Sequence, residues 1–251
     1  MTDKENPKIS VVCPTYNSSL FIIKTLNTIL NQKQCPFELI VSDDGSTDDT
    51  IKKVESLFQS YSGSIKTKII NNNHKGPGAT RNSGILESKG EWIAFIDSDD
   101  LWFDEKIKIV SDVILKDPTY NFIFHNENNL KFNGELVPFH DFSKFYKKDQ
   151  TLTFQVWKYC IFHTSTVVCK KSLLLKNGLF DENLMSSQDW DLWIKMSFSM
   201  NYYHIPKVLG TYVDRKSNIT NTKSFKGFLD RIRVMSRYWK VSGASFGMYI
   251  Y

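Results

Sequence analysis

The chain has 251 residues, of which 41% are hydrophobic, 14% aromatic and 24% charged, enough apolar material for one large α/β domain or two small ones. The net charge of +5 is modest. Its basic residues gather near the C-terminus, which speaks against whole-surface nucleic-acid binding and for a local acidic partner.

Ile9 to Cys13 reads as a short apolar strand closed by Pro14. Asn17 or Ser18 then caps a helix with Leu20, Ile23, Leu26, Ile29 and Leu30 at helical spacing. Phe37 to Val41 is a second strand, followed by the turn Asp43-Asp44-Gly45. Ser46 or Thr47 caps the next helix, which buries Ile51, Val54, Leu57 and Phe58. Lys66 to Ile70 is a third strand, and the loop NNNHKGPG leads into a helix over Ala79 to Ser88. Trp92 to Ile96 is the fourth strand, Phe103 to Leu115 a helix and Asn121 to Phe124 a fifth strand. Leu130 to Val137 reads as a hairpin around Asn133-Gly134. Thr164 to Cys169 is a strand, SSQDWDLWIKMSF a helix and Lys207 to Val213 a last strand. Ser224 to Trp239 is a basic amphipathic helix. The alternation predicts an α/β protein with a doubly wound, mostly parallel sheet. Its first half reads as a nucleotide-binding unit, and its second half as the expected acceptor-binding side. Residues 1–221 form the domain and 222–251 a helix with a tail.

The polar start MTDKENPK lacks the apolar core of a secretion signal, and no apolar run reaches membrane-span length. The expected location is the cytoplasm, or the inner face of the plasma membrane. Cys13, Cys35, Cys160 and Cys169 form no C-x-x-C pair and read as free thiols of a reducing compartment. His74, His125, His140, His163 and His204 show no metal-ligand spacing.

Asp97-Ser98-Asp99-Asp100 carries the most chemistry. Three carboxylates at one strand end repel each other, and a cation or polar ligand relieves that repulsion. A hard divalent metal with phosphate oxygens is the usual solution, at the carboxyl edge where open α/β sheets bind ligands. Neither G-x-G-x-x-G nor G-K-[ST] is present to hold phosphate another way. Pro14-Thr15-Tyr16-Asn17 offers a ring for base stacking, or simply a strand-to-helix turn. Asp43-Asp44 is a turn or a partner for a base or ribose. Gln188-Asp189-Trp190-Asp191 is either a sugar site walled by tryptophan or an Asp-rich helix start. His163 stands just before the strand Thr164 to Cys169.

SVVCPTYN, IVSDDGSTDDT, GPGATRNSG, GEWIAFIDSDD, GLFDE and SQDWDLW occur in the order typical of family 2 glycosyltransferases, and the chain resembles that family over Ile9 to Asp214. The resemblance implies an inverting, metal-dependent enzyme of GT-A fold acting on a nucleotide sugar. It implies that Pro14, Thr15, Tyr16 and Asp44 hold base and ribose and that Arg81 lies in the donor-binding stretch, with Thr80 replacing its usual alanine. Asp97 and Asp99 resemble the ends of the D-x-D motif, Asp97 toward ribose or metal-bound water and Asp99 as ligand of Mn²⁺ or Mg²⁺. Asp189 resembles the catalytic base, with Gln188 where glutamate is usual. Arg215 stands in for a phosphate-contacting histidine, and His163, Trp190 and Asp191 are acceptor or sugar candidates. UDP is the family's commonest nucleotide, so a UDP-hexose is the expected donor. The expected acceptor is a glycan or lipid-linked hydroxyl in surface polysaccharide synthesis. The C-terminal helix either binds anionic membrane or packs on the domain. A nucleotide-sugar-binding module without transfer activity is the alternative, supported by Gln188.

Overall fold

The computed structural model describes residues 5–139, 142–215 and 225–240. The first half alternates: β1 (Ile9–Thr15), α1 (Ile22–Leu30), β2 (Glu38–Asp43), α2 (Thr50–Ser60), β3 (Lys66–Asn71), α3 (Pro77–Glu87) and β4 (Trp92–Phe95). The second half continues with β5 (Leu101–Trp102), α4 (Lys106–Lys116), β6 (Phe122–Leu130), β7 (Leu136–Phe139), α5 (Phe142–Phe145) and α6 (Leu152–Tyr159). A 3-10 turn (Thr164–Thr166), β8 (Val168–Lys170), α7 (Lys171–Lys176), α8 (Gln188–Ser197), β9 (Tyr202–Val213) and α9 (Phe225–Tyr238) complete it.

The strands form one sheet in the order β3-β2-β1-β4-β8-β6-β9-β5, with β7 paired to β6. β3, β2, β1 and β4 are parallel, as expected. The far half is mixed: β6 and β9 are parallel, whereas β8 runs antiparallel to β4 and β6, and β5 antiparallel to β9. The chain steps outward from β1 to β3 and returns to β4 on the other side of β1. That reversal opens a crevice at the carboxyl ends of β1 and β4.

β1 and β4 are buried along their whole length, because helices cover both faces of the sheet. Successive side chains therefore feed different cores. Val11, Cys13 and Ala94 meet Leu26 and Ile29 of α1, Val54 of α2 and Val110 of α4. Val12, Ile93 and Phe95 meet Ile85 of α3, Trp157 of α6, Leu174 of α7 and Trp193 of α8. Gly84 lets α3 lie against β1, since a Cβ there would fall 2.5 Å from Val12 Cγ1.

Several local expectations are corrected. Leu20 precedes α1 and is exposed. Asn17 is not a helix cap. It adopts a left-handed φ of 46°, and its Oδ1 accepts from Thr47 N at 2.8 Å, tying the first loop to the second. Asp48, not Ser46 or Thr47, accepts from Thr50 N at the start of α2. The expected strand Thr164 to Cys169 is a 3-10 turn followed by a strand from Val168. The hairpin forms as expected, with Gly134 at φ 82° in its turn.

α9 packs on the domain through its inner face. Val234 is fully buried, and Asp230 accepts from Met185 N at 3.0 Å and Ser186 N at 3.2 Å. Asp191 of α8, fully buried, binds Arg237 at 3.0 Å and the Tyr238 hydroxyl at 2.9 Å, and also Lys195 at 2.7 Å. The 221/222 boundary, Lys223, Ser224, His140 and the tail 241–251 lie outside the described residues.

Asp191→Ala should destabilise the protein by about 2–3 kcal/mol, because it strips a buried anion from three partners, two of which can turn to solvent. Urea unfolding measures this, and protection of α9 amides in hydrogen exchange should fall further than that of β1.

Candidate active site

The polar strand ends all open on the crevice. Pro14 and Thr15 are buried at the end of β1, and Tyr16 emerges 45% exposed. The Tyr16 ring stacks on His74, with centroids 4.4 Å apart and planes 28° from parallel. Asp44, after β2, accepts from Lys75 N at 2.9 Å and Gly76 N at 3.0 Å, and pairs with His74 Nδ1 at 2.9 Å. Asp44 thus holds the loop after β3 against the first two strand ends. Asp43 closes its own turn through Gly45 N and Ser46 N, so it is the structural member of the pair.

α3 contributes two neighbours with different tasks. Arg81 is 6% exposed and donates from Nη2 to Asp97 Oδ1 at 2.6 Å. Its Nε and Nη1 are buried without a hydrogen-bond partner. A buried cation with unused donors suits an anion not yet present. Asn82 clamps the GLFDE segment, accepting from Phe180 N and donating to Phe180 O, both at 3.0 Å, and to Glu182 Oε1 at 2.9 Å.

The acidic cluster resolves into three environments. Asp97 faces Arg81, and Asp99 pairs with Arg215, whose guanidinium also lies 3.7 Å from the centre of the Phe21 ring. Asp100 is buried and belongs to the framework. It accepts from Ser165 Oγ at 2.5 Å and Val213 N at 3.1 Å. Burial, with Asp97 and Glu127 nearby, pushes its carboxyl up to about 8. The expected repulsion is therefore relieved inside the protein, by two arginines and one retained proton. Among the described residues, no group of three His, Cys, Asp or Glu side chains is gathered for a metal. Asp97 and Asp99 still fit a hard cation that brings diphosphate oxygens and water as its other ligands.

Ser165 connects these parts. Its Oγ accepts from Asp97 N at 3.0 Å while donating to Asp100. Its carbonyl accepts from Trp102 Nε1 at 3.0 Å and Lys106 Nζ at 2.7 Å. Lys106 is fully buried with its ammonium 3.6 Å from the Trp102 ring centre, and burial pulls its pKa well below the usual lysine value.

Asp189 stands at the N-terminus of α8. Its Oδ2 accepts from Thr164 Oγ1 at 3.2 Å and its Oδ1 from Trp190 N at 2.8 Å. Arg81 feels the charge of both Asp97 and Asp189, which places base candidate and donor candidates around one cation. Gln188 is buried, with Oε1 unpartnered. Trp190 and Asp191, offered as sugar-site residues, are placed elsewhere. Trp190 is 4% exposed and donates to Val156 O at 2.6 Å, and Asp191 faces α9.

His163 pairs through Nδ1 with Glu127 Oε1 at 2.8 Å. Burial works against a charged ring, but Glu127, then Asp100 and Asp189, outweigh it and push His163 up to about 9. Sequence reasoning missed Ser165, Asn82, Lys106 and Glu127. Glu127 left one signal: His125, Glu127 and Asn129 recur at strand spacing, and β6 buries all three.

A GT-A glycosyltransferase is the class that this sheet and its crevice define. The family model for glycosyl transferase family 2 matches residues 10–174, and the chain belongs to that family. It is 33% identical over 221 residues to an uncharacterized glycosyltransferase of Rickettsia conorii, covering 86% of this chain and 34% of that protein. The chain thus spans about a third of the length of its first rickettsial relatives. It is 26% identical to the UDP-Glc:alpha-D-GlcNAc-diphosphoundecaprenol beta-1,3-glucosyltransferase of Escherichia coli, covering 94% of this chain and 85% of that protein. Among solved structures, S. aureus TarS 1-349 in complex with UDP-GlcNAc superposes with TM-score 0.73 at 25% identity, covering 92% of this chain and 66% of that one. A mannosyltransferase of Pyrobaculum calidifontis, solved with GDP-Man and Mn²⁺, gives TM-score 0.66 at 22% identity, covering 86% and 59%.

The Asp100 carboxyl keeps its proton to about pH 8 in the fold, and an unfolded aspartate loses it near pH ~3.9. The folded chain therefore binds one extra proton between these values, and this group's share of stability falls as pH rises from about 4 to about 8. Asp100→Asn cannot ionise and still offers an acceptor to Val213 N and a donor to Ser165. It should remove that fall and be more stable than the parent at pH 8.5 by a few kcal/mol, since each pH unit between the two values is worth about 1.4 kcal/mol. Thermal and urea melts between pH 5 and 9 measure the difference.

Proposed function

We propose that the chain is an inverting glycosyltransferase. It moves a hexose from a UDP-sugar to a hydroxyl of a glycan or lipid-linked acceptor in surface polysaccharide synthesis. One observation carries the reading: Arg81, buried with unused donors, pairs with the strand-end carboxylate Asp97 and also feels the charge of Asp189. Tyr16 and Asp44 hold the base and ribose on one side of it, beside Pro14 and Thr15. Asp189 takes the proton of the acceptor hydroxyl as its oxygen bonds to the anomeric carbon. The bond from that carbon to the diphosphate breaks with inversion, and the departing charge meets Arg81 and Arg215. Asp97 and Asp99 would hold Mn²⁺ or Mg²⁺, which supplies further charge neutralisation on the diphosphate. The glucosyltransferase relative and its diphosphoundecaprenol acceptor support the lipid-linked choice. The second reading, a nucleotide-sugar-binding module without transfer, rests on the neutral Gln188 beside Asp189.

The inner face of the plasma membrane is the proposed place of work, and α9 supports it. Phe225, Phe228, Leu229 and Ile232 are exposed at i, i+3, i+4 and i+7, opposite the face that docks on α8. Part of the basic set is already engaged on the domain: Arg231 lies 5.8 Å from the Trp190 ring centre, and Arg233 and Arg237 hold Asp230 and Asp191. The apolar stripe thus carries more of the binding, with a basic residue near an anionic surface adding about 1 kcal/mol. No helix among the described residues is long and apolar enough to cross a membrane.

A UDP-release screen over nucleotide sugars with Mn²⁺ tests the enzyme reading, and release with no donor would leave the binding module. Asp189→Asn should keep donor affinity and lose about 10²–10⁴-fold in turnover, whereas Asp99→Ala should lose metal-dependent donor binding in calorimetry.

Vesicles rich in phosphatidylglycerol should co-sediment the full chain at low salt, and Phe225→Ser with Phe228→Ser and Ile232→Ser should abolish this without changing the melting temperature. Equal binding by both proteins, or by neither, removes the membrane role.

A further inference from the structure

Apart from Gln188, the structure offers a charged group that acts on Asp189. Glu127 of β6 is 2% exposed and pairs with His163 Nδ1 at 2.8 Å. The next residue, Thr164, donates to Asp189 Oδ2 at 3.2 Å. The imidazole packs edge-on against the stacked pair of Phe139 of β7 and Tyr212 of β9, with centroids at 5.4 and 4.9 Å. Glu127, Asp100 and Asp189 are the anions that act on the ring, and Arg81 is the other cation that feels Asp189. Cys160, after α6, also senses Asp189.

We propose that His163, held as an imidazolium by Glu127, is a positioning residue that fixes the Asp189 carboxylate through its charge and through the adjoining Thr164 hydrogen bond. It rests on the reading of Asp189 as the base. In place of a carboxylate at position 188, this chain uses the buried Glu127 paired with His163, an imidazole that also feels Asp189. A buried glutamate beside an imidazole keeps the ring charged over the whole physiological range, so the cation is present at rest and is lost only in alkali.

The test is the alkaline limb of the kcat/KM profile with the UDP-sugar that the screen identifies. It is measured in the Asp100→Asn background, so that the neighbouring titration is absent. The limb should lie in the alkaline range in that parent, somewhat below its wild-type position because the Asp100 charge no longer helps to raise the ring. Glu127→Gln removes the anion that holds the ring charged, and should move the limb down by about two pH units, with activity near that of the parent at pH 6 and tenfold or more lower at pH 8. His163→Arg, with a permanent cation, should abolish the limb. An unmoved limb with a uniform loss at every pH would mean a purely structural pair and would overturn the proposal. If Asp189→Asn keeps its turnover, the base assignment itself fails, which is a separate outcome. Should Glu127→Gln not fold, imidazole ¹⁵N titration of the wild-type chain and of Asp189→Asn decides. His163 should stay protonated past pH 8 in the first and titrate lower in the second, and an identical midpoint in both overturns the coupling.

Discussion

The site depends on Ser165 and the buried Asp100. One hydroxyl receives the amide of Asp97 and donates to the Asp100 carboxyl, while the same residue's carbonyl receives Trp102 and Lys106. Asp100 in turn receives the amide of Val213 at the end of β9. The turn after β4, the start of α4, the 3-10 turn and the last strand thus meet at two side chains. A buried polar junction of this kind is costly unless each member is satisfied, and satisfaction leaves one geometry. That geometry turns Asp97 and Asp99 toward the crevice and sets Thr164 beside Asp189.

Charge balance follows from the same arrangement. Asp97 and Asp99 each have an arginine, and Asp100 keeps a proton, so the acidic run is not an uncompensated hole. What stays unused is hydrogen-bonding capacity: Arg81, though paired with Asp97, has two buried nitrogens without hydrogen-bond partners. On the proposed reading those donors receive the diphosphate of the sugar donor, and a divalent metal is more naturally brought in with it than stored beforehand.

α8 joins the proposed base to the C-terminal helix. Residues two apart on a helix point to opposite sides. Asp189 therefore meets Thr164 at the crevice while Asp191 is buried against Arg237 and Tyr238. Trp190 between them serves the core through its bond to Val156 O. The outer face of α9 is in this way anchored one helix from the proposed base.

The apolar runs of β1, β2 and β4 and the helical periods between them determined the nucleotide-binding half, because strands buried on both faces leave continuous apolar signatures. The polar strand ends at Tyr16, Asp44 and Asp97 could be read for the same reason: each follows its strand directly. The order of motifs also pointed to the family. The sequence could not rank Asp97, Asp99 and Asp100, since which carboxylate is buried depends on Ser165, 65 residues further on. Nor could it place Trp190 and Asp191, whose surroundings come from α6 and α9. Glu127 and His163 are 36 residues apart and touch only because β6 and the 3-10 turn lie side by side in the sheet layer. Local pattern determined which segments form strands and helices; the tertiary fold alone decided which charges face each other, because long-range packing sets both their burial and their partners.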